Sequence, residues 1–182
     1  MLKLVIPASD EFYDEAKSEF VTYPEVHLEL EHSLVSIAKW ESKWEKPFLS
    51  GDEKSTEQTV DYIRFMTLTD DVSDETFHRL SSDNYEQVSD YIAAKMTATW
   101  FAESPEKKST SREVITAEVI YYWMVTLNIP FECQYWHISR LLTLVTVCNQ
   151  KNEPPKKSSR ADIIARNRAL NEQRKAKLGT SG

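Results

Sequence analysis

Val26-His27-Leu28-Glu29-Leu30-Glu31-His32-Ser33-Leu34-Val35-Ser36-Ile37-Ala38-Lys39-Trp40-Glu41-Ser42-Lys43-Trp44 changes its period within one run. As far as Leu30, apolar and polar residues alternate, the period-two mark of a half-buried strand. From Leu34 onward, Leu34, Ile37, Ala38, Glu41 and Trp44 recur at helical spacing, with Ser33 placed to cap the helix. Trp40 falls on the flank of that stripe. Pro47 bars the helix from running further. A strand that feeds straight into an amphipathic helix predicts an α+β fold.

Working outward, Leu2–Ile6 is a short apolar run closed by Pro7, and Glu19–Tyr23 is β-prone and closed by Pro24. With Val26–Leu30 these predict a three-stranded antiparallel sheet, joined by the acidic connection Ser9–Ser18. Downstream, Ser55-x-x-Gln58 matches a capping box and opens a second helix through Val60, Ile63 and Phe65 or Met66. Ser73–Leu80 and Asp83–Ala94 read as two more helices. Met96–Phe101 has no clear period, and Glu103–Ser111 reads as a surface loop. Thr110-x-x-Glu113 is another capping-box match, and Val114–Leu127 is apolar nearly all round, which predicts a buried helix with Trp123 in the core. Asn128-Ile129-Pro130 breaks it, and Phe131–Asn149 predicts its helical-hairpin partner. Ser159-x-x-Asp162 would start a last helix with a thin apolar stripe, Ile163, Ile164, Ala169 and Leu170.

Charge divides the chain sharply. Residues 1–155 hold 14 Lys and Arg against 27 Asp and Glu, a net of −13, whereas residues 156–182 hold eight against two, a net of +6. Pro154-Pro155 separates the two. The expected organisation is an acidic body over 1–152 (sheet 1–32, helical part 33–152), a linker over 153–158, and a separate basic C-terminal helix over 159–182. Such segregation points to partner binding before catalysis. Gly51, Gly179 and Gly182 are the glycines, so a glycine-rich phosphate loop in the body is excluded. The longest apolar run is too short to span a bilayer and contains Glu118, so no membrane association is expected. No leader pattern opens the chain, and a soluble intracellular protein is expected.

The chemistry-bearing residues do not converge. Cys133 and His137, four apart with Glu132 beside them, could give half a zinc site. His27, His32 and His78 would have to supply the rest, and none lies in a ligand-spaced pair, so a core thiol and a core imidazole are favoured. Glu29 and Glu31 fall on the solvent face of their strand, beside His32, and read as solvated carboxylates. No nucleophile elbow or metalloprotease helix is present. The sequence therefore predicts no enzyme, no metal and no cofactor. Of the five tryptophans, Trp40 and Trp44 lie one turn apart in a charge-rich helix and are the expected partly exposed contact residues. In the tail, Arg160, Arg166, Arg168 and Arg174 with Ile163 and Leu170 are the expected partner-binding set. The arginines keep a nucleic-acid arm open as a minority reading, against which the acidic body counts.

Leu30–Trp44, Ile115–His137 (ITAEVIYYWMVTLNIPFECQYWH) and Arg168–Gly179 together resemble small proteins from the structural-gene region of tailed bacteriophages. Within that group the chain is most similar to the tail assembly chaperones. The resemblance covers most of the chain and involves no catalytic motif. It implies a non-enzymatic protein that coats the tape measure protein or assists tube subunits in the host cytoplasm. Small virion components of the tail or head–tail connector share this size and helical character, and would place the protein in the particle instead. Homo-oligomerisation stays open.

Overall fold

A computed structural model describes residues 1–9, 12–14, 19–101 and 114–152, together with Ile164, Asn167, Arg168, Asn171 and Glu172. The chain divides into two compact units, Met1–Asn149 and Gln150–Gly182. The first is mostly helical with a small antiparallel β-structure at its N-terminus, as the change of period predicts. In the second, the eight described residues (Gln150, Lys151 and Asn152 at the end of a helix, and the five just named) are helical and exposed.

Strands β1 (Leu2–Ile6) and β4 (Val26–Leu30) pair antiparallel, Leu2 opposite Leu30 and Ile6 opposite Val26. Leu4, Ile6, Leu28 and Leu30 point into the core, while Lys3 and Glu29 pair outward at 3.2 Å. The expected three-stranded sheet does not form. Strand β3 (Glu19–Val21) pairs with β2 (Phe12–Asp14), inside the segment read as a connection. Ser9 and Tyr23 join the two sheets: Ser9 N–H donates to the Tyr23 carbonyl, and Tyr23 N–H to Ser9 Oγ, both at 3.0 Å. The whole is thus one long antiparallel ribbon interrupted near Pro7 and Pro24, residues that have no N–H to give a ladder. Arg79 fills the break, its guanidinium donating to the carbonyls of both prolines while lying over the Tyr23 ring.

Helix α1 (Leu34–Trp44) starts with Ser33 and Ser36 capping each other reciprocally. Helix α2 (Thr56–Met66) starts with the predicted Ser55/Gln58 box. The chain leaving α2 borders β4, with Leu68 N–H donating to the Glu29 carbonyl at 2.7 Å. Helices α3 (Asp74–His78) and α4 (Ser82–Ala93) follow, and the Asn84 amide of α4 reaches the Val5 carbonyl of β1.

Helix α5 runs Ala117–Thr126, three residues later than predicted. The Thr110/Glu113 box lies outside the described residues, and Thr116 makes no side-chain cap. The cap comes from α1 instead. Buried Glu41 accepts from Ala117 N–H through Oε2 and from Phe48 N–H through Oε1, both at 2.7 Å. Phe48 opens the 3₁₀ turn Phe48–Ser50, so one carboxylate serves the first N–H of two helical segments. Nor is α5 buried all round. Ala117, Ile120 and Met124 face the core and Trp123 packs at its margin, but Tyr122 and Val125 face outward.

The partner helix of the predicted hairpin is also divided. Phe131–Tyr135 is a 3₁₀ turn, Trp136 is extended, and α6 runs Ile138–Asn152. The interruption is held from afar. His137 bridges to Ser33, and Ile138 N–H donates to the His32 carbonyl at 2.8 Å. These long-range bonds take the backbone that a continuous helix would use.

Removing the Glu41 carboxylate orphans two buried N–H donors, each worth roughly 1–3 kcal/mol. Glu41→Ala is expected to cost about 3 kcal/mol in urea unfolding, and Glu41→Gln, which keeps one acceptor, about half as much. A loss below about 1 kcal/mol for the alanine variant would refute the double cap.

Candidate functional site

The predicted contact residues divide three ways. Trp40 is buried, contrary to the expectation of exposure, because α2 packs on its flank and the Gln58 carbonyl accepts its indole N–H at 2.9 Å. Trp44 is half-buried beside it, with ring centroids 6.5 Å apart. Its indole N–H is shielded and finds no acceptor among the described residues. Arg168 is helical and exposed. Arg160, Ile163, Arg166, Leu170 and Arg174 lie outside the described residues.

Glu31, His32, Cys133 and His137 are drawn into the first unit. Glu31 turns inward after β4, contrary to the solvent-face reading. Tyr91 hydroxyl donates to its Oε1 at 2.6 Å, and the Met1 ammonium lies 2.9 Å from its Oε2. His32 and His137 are both buried, edge to face, with ring centroids 5.0 Å apart. His32 Nδ1 is hydrogen-bonded to the Tyr62 hydroxyl. His137 Nδ1 accepts from Ser139 N–H at 3.2 Å, capping α6, which leaves Nε2 to donate to the Tyr91 carbonyl at 3.0 Å. Burial, and next the neighbouring His137, push the His32 imidazole down to about 3 from its ordinary 6.5. Burial pushes the Tyr62 and Tyr91 hydroxyls and the Cys133 thiol upward. A thiol held protonated is a poor nucleophile. These groups act as a polar seam between β4, α1, α2, α4 and α6. Among the described residues no group of three His, Cys, Asp or Glu side chains is arranged to hold a metal ion. A hollow of about 300 Å³ opens beside Trp40, but Lys46, Asp52 and Lys54 supply much of its wall. No described helix is long and apolar enough to cross a membrane.

Phe20 and Trp100 are the most exposed large apolar side chains, and four more lie close in sequence on α5 and the turn after it, a face the sequence hides. On α5, Tyr122 is 66% and Val125 60% exposed. In the 3₁₀ turn that follows, Phe131 is 53% and Tyr135 61% exposed. Tyr121 links the two rows: its ring lies 6.4 Å from that of Phe131, and its hydroxyl donates to Gln134 at 2.9 Å. The apolar composition of Val114–Leu127 gave no periodicity to mark an outward face. The only local signal was the tyrosines, an amphipathic residue type suited to half-wet surfaces. Comparisons with protein-family models, curated proteins and solved structures find no match for the chain.

The buried His32 predicts an acid dependence. A native state that refuses a proton which the unfolded chain accepts below about pH 6.5 loses stability progressively as pH falls below that value. Urea unfolding of wild type and His32→Gln at pH 7, 6, 5 and 4 isolates this from the carboxylates. The wild type is expected to lose stability more steeply than the variant. Parallel curves would show that His32 is not held neutral.

Proposed function

We propose that this protein is a non-enzymatic assembly factor that works through protein–protein contacts. Its resemblance to tailed-phage proteins makes a tail assembly chaperone, serving the tape measure or tube protein, the reading adopted. One observation carries the contact role: the exposed row Tyr122, Val125, Phe131 and Tyr135 on α5 and the turn after it. Exposed apolar patches of more than a few hundred Å² mark interaction surfaces on soluble proteins. Aromatic anchors, tyrosine among them, supply much of the binding energy at interfaces. The basic tail adds a second element suited to electrostatic recruitment, since opposite charge raises association rates.

Affinity-tagged protein recovered from infected cells is expected to bring down the tape measure or tube protein, while mass spectrometry of purified mature particles finds none of it. Fixed copy number in the mature particle would replace the chaperone reading with a virion component. Capture of nucleic acid alone, weakening steeply with salt, would replace both.

A further inference from the structure

The α5 face and the Phe131–Tyr135 turn share an electrostatic character that narrows the choice of partner. Residues 114–139 contain Glu118 and Glu132 and no Lys or Arg. Glu118, Tyr122 and Val125 follow at i, i+4 and i+7, one stripe along α5. Glu132 stands next to Phe131, and both glutamates are exposed. Each carboxylate sits in a first turn, where it suits the helix dipole, but neither has a cationic partner among the described residues. Arg140, which follows in α6, is stacked over the Trp136 ring at 4.4 Å. Exposed aromatic and aliphatic side chains thus lie beside Glu118 and Glu132, and the nearest basic residue in the chain after them is the exposed Arg140.

We propose that this face is the docking site for a basic amphipathic helix of a partner protein. The assignment rests on the contact-protein reading above and names the chemistry of its partner. A helix surface has no free backbone ladder, so an added strand gains nothing here, and the matching mode is side chain against side chain. A partner helix with aliphatic residues at i, i+3, i+4 and i+7 packs on the Tyr122/Val125 stripe, and its flanking Lys and Arg meet Glu118 and Glu132. A second copy using the same face is disfavoured, since a two-fold contact sets Glu118 and Glu132 against themselves, with Arg140 as the one basic residue near the turn. An anionic lipid surface is repelled for the same reason.

The test uses the full chain and a fluorescein-labelled helical peptide of about 18 residues, five turns, with leucines on one face and lysines on the other. A second peptide carries Glu in place of every Lys. Fluorescence anisotropy is expected to show salt-sensitive binding of the basic peptide and none of the acidic one. Tyr122→Ser with Val125→Ser, and separately Glu118→Lys with Glu132→Lys, should each weaken binding about tenfold or more. Glu86→Lys with Asp90→Lys, an equal charge change on exposed positions of α4, should alter it less than about twofold. The side chains changed on α5 are exposed, and circular dichroism checks that each variant is folded. Equal binding of both peptides would overturn the proposal. So would equal losses in the two Lys variants, or sedimentation showing a dimer that the serine pair dissolves. A partner captured from infected cells through this face but lacking a basic helix would sink the docking proposal and leave the contact function standing. Peptide binding without any captured partner would do the reverse.

Discussion

Glu41 is the side chain on which the arrangement of the first unit turns. It lies on the buried face of α1, and its two oxygens accept from Phe48 and Ala117 N–H groups that begin separate helical segments. A buried carboxylate is costly unless such donors compensate it. Here the donors are backbone groups at positive helix ends, which compensate it and are themselves satisfied. The contact fixes where α5 begins, 76 residues after Glu41 in the chain, and hence which of its apolar residues face inward. Ile120 and Met124 go to the core; Tyr122 and Val125 go to solvent. The surface proposed for partner binding depends in part on the position of this carboxylate.

The histidine seam plays the complementary part for α6. His32 and Ser33 connect β4 to α1, and both meet the chain around His137. With Nδ1 as acceptor and Nε2 as donor, His137 joins the first turn of α6 to the end of α4. Polar groups are placed in the interior where they specify neighbours that apolar packing alone would leave interchangeable. The α5 face therefore rests on two polar fixings, Glu41 at its start and the seam beyond the turn that follows it.

Local chemistry was legible and distant pairing was not. The alternation in Val26–Leu30, the run Leu2–Ile6 and the Ser55/Gln58 box each carry their signal in adjacent residues, and each forms as read. Strand β2 was hidden in an acidic stretch because its three residues pair only through the ribbon's register. The break at Trp136–His137 has no Gly or Pro to announce it; it exists because His32 and Ser33 claim the backbone there. Trp40 read as a flank residue because a helical wheel does not show where α2 will lie. Glu41 stood at a core spacing in the sequence, but its donors, Phe48 and Ala117 N–H, are set by the fold and left no local signal. The outward face of α5 was hardest to see, since a helix apolar on every side gives no period from which to choose.

Photo-crosslinking in infected cells tests most directly the proposal that the α5 face binds the partner. Benzoylphenylalanine is introduced at Tyr122 in one protein and at Glu86 of α4 in another, both exposed positions. After irradiation, position 122 should give a discrete covalent adduct with one partner protein, and position 86 should not. No protein adduct from position 122, or the same adducts from both positions, would contradict the account.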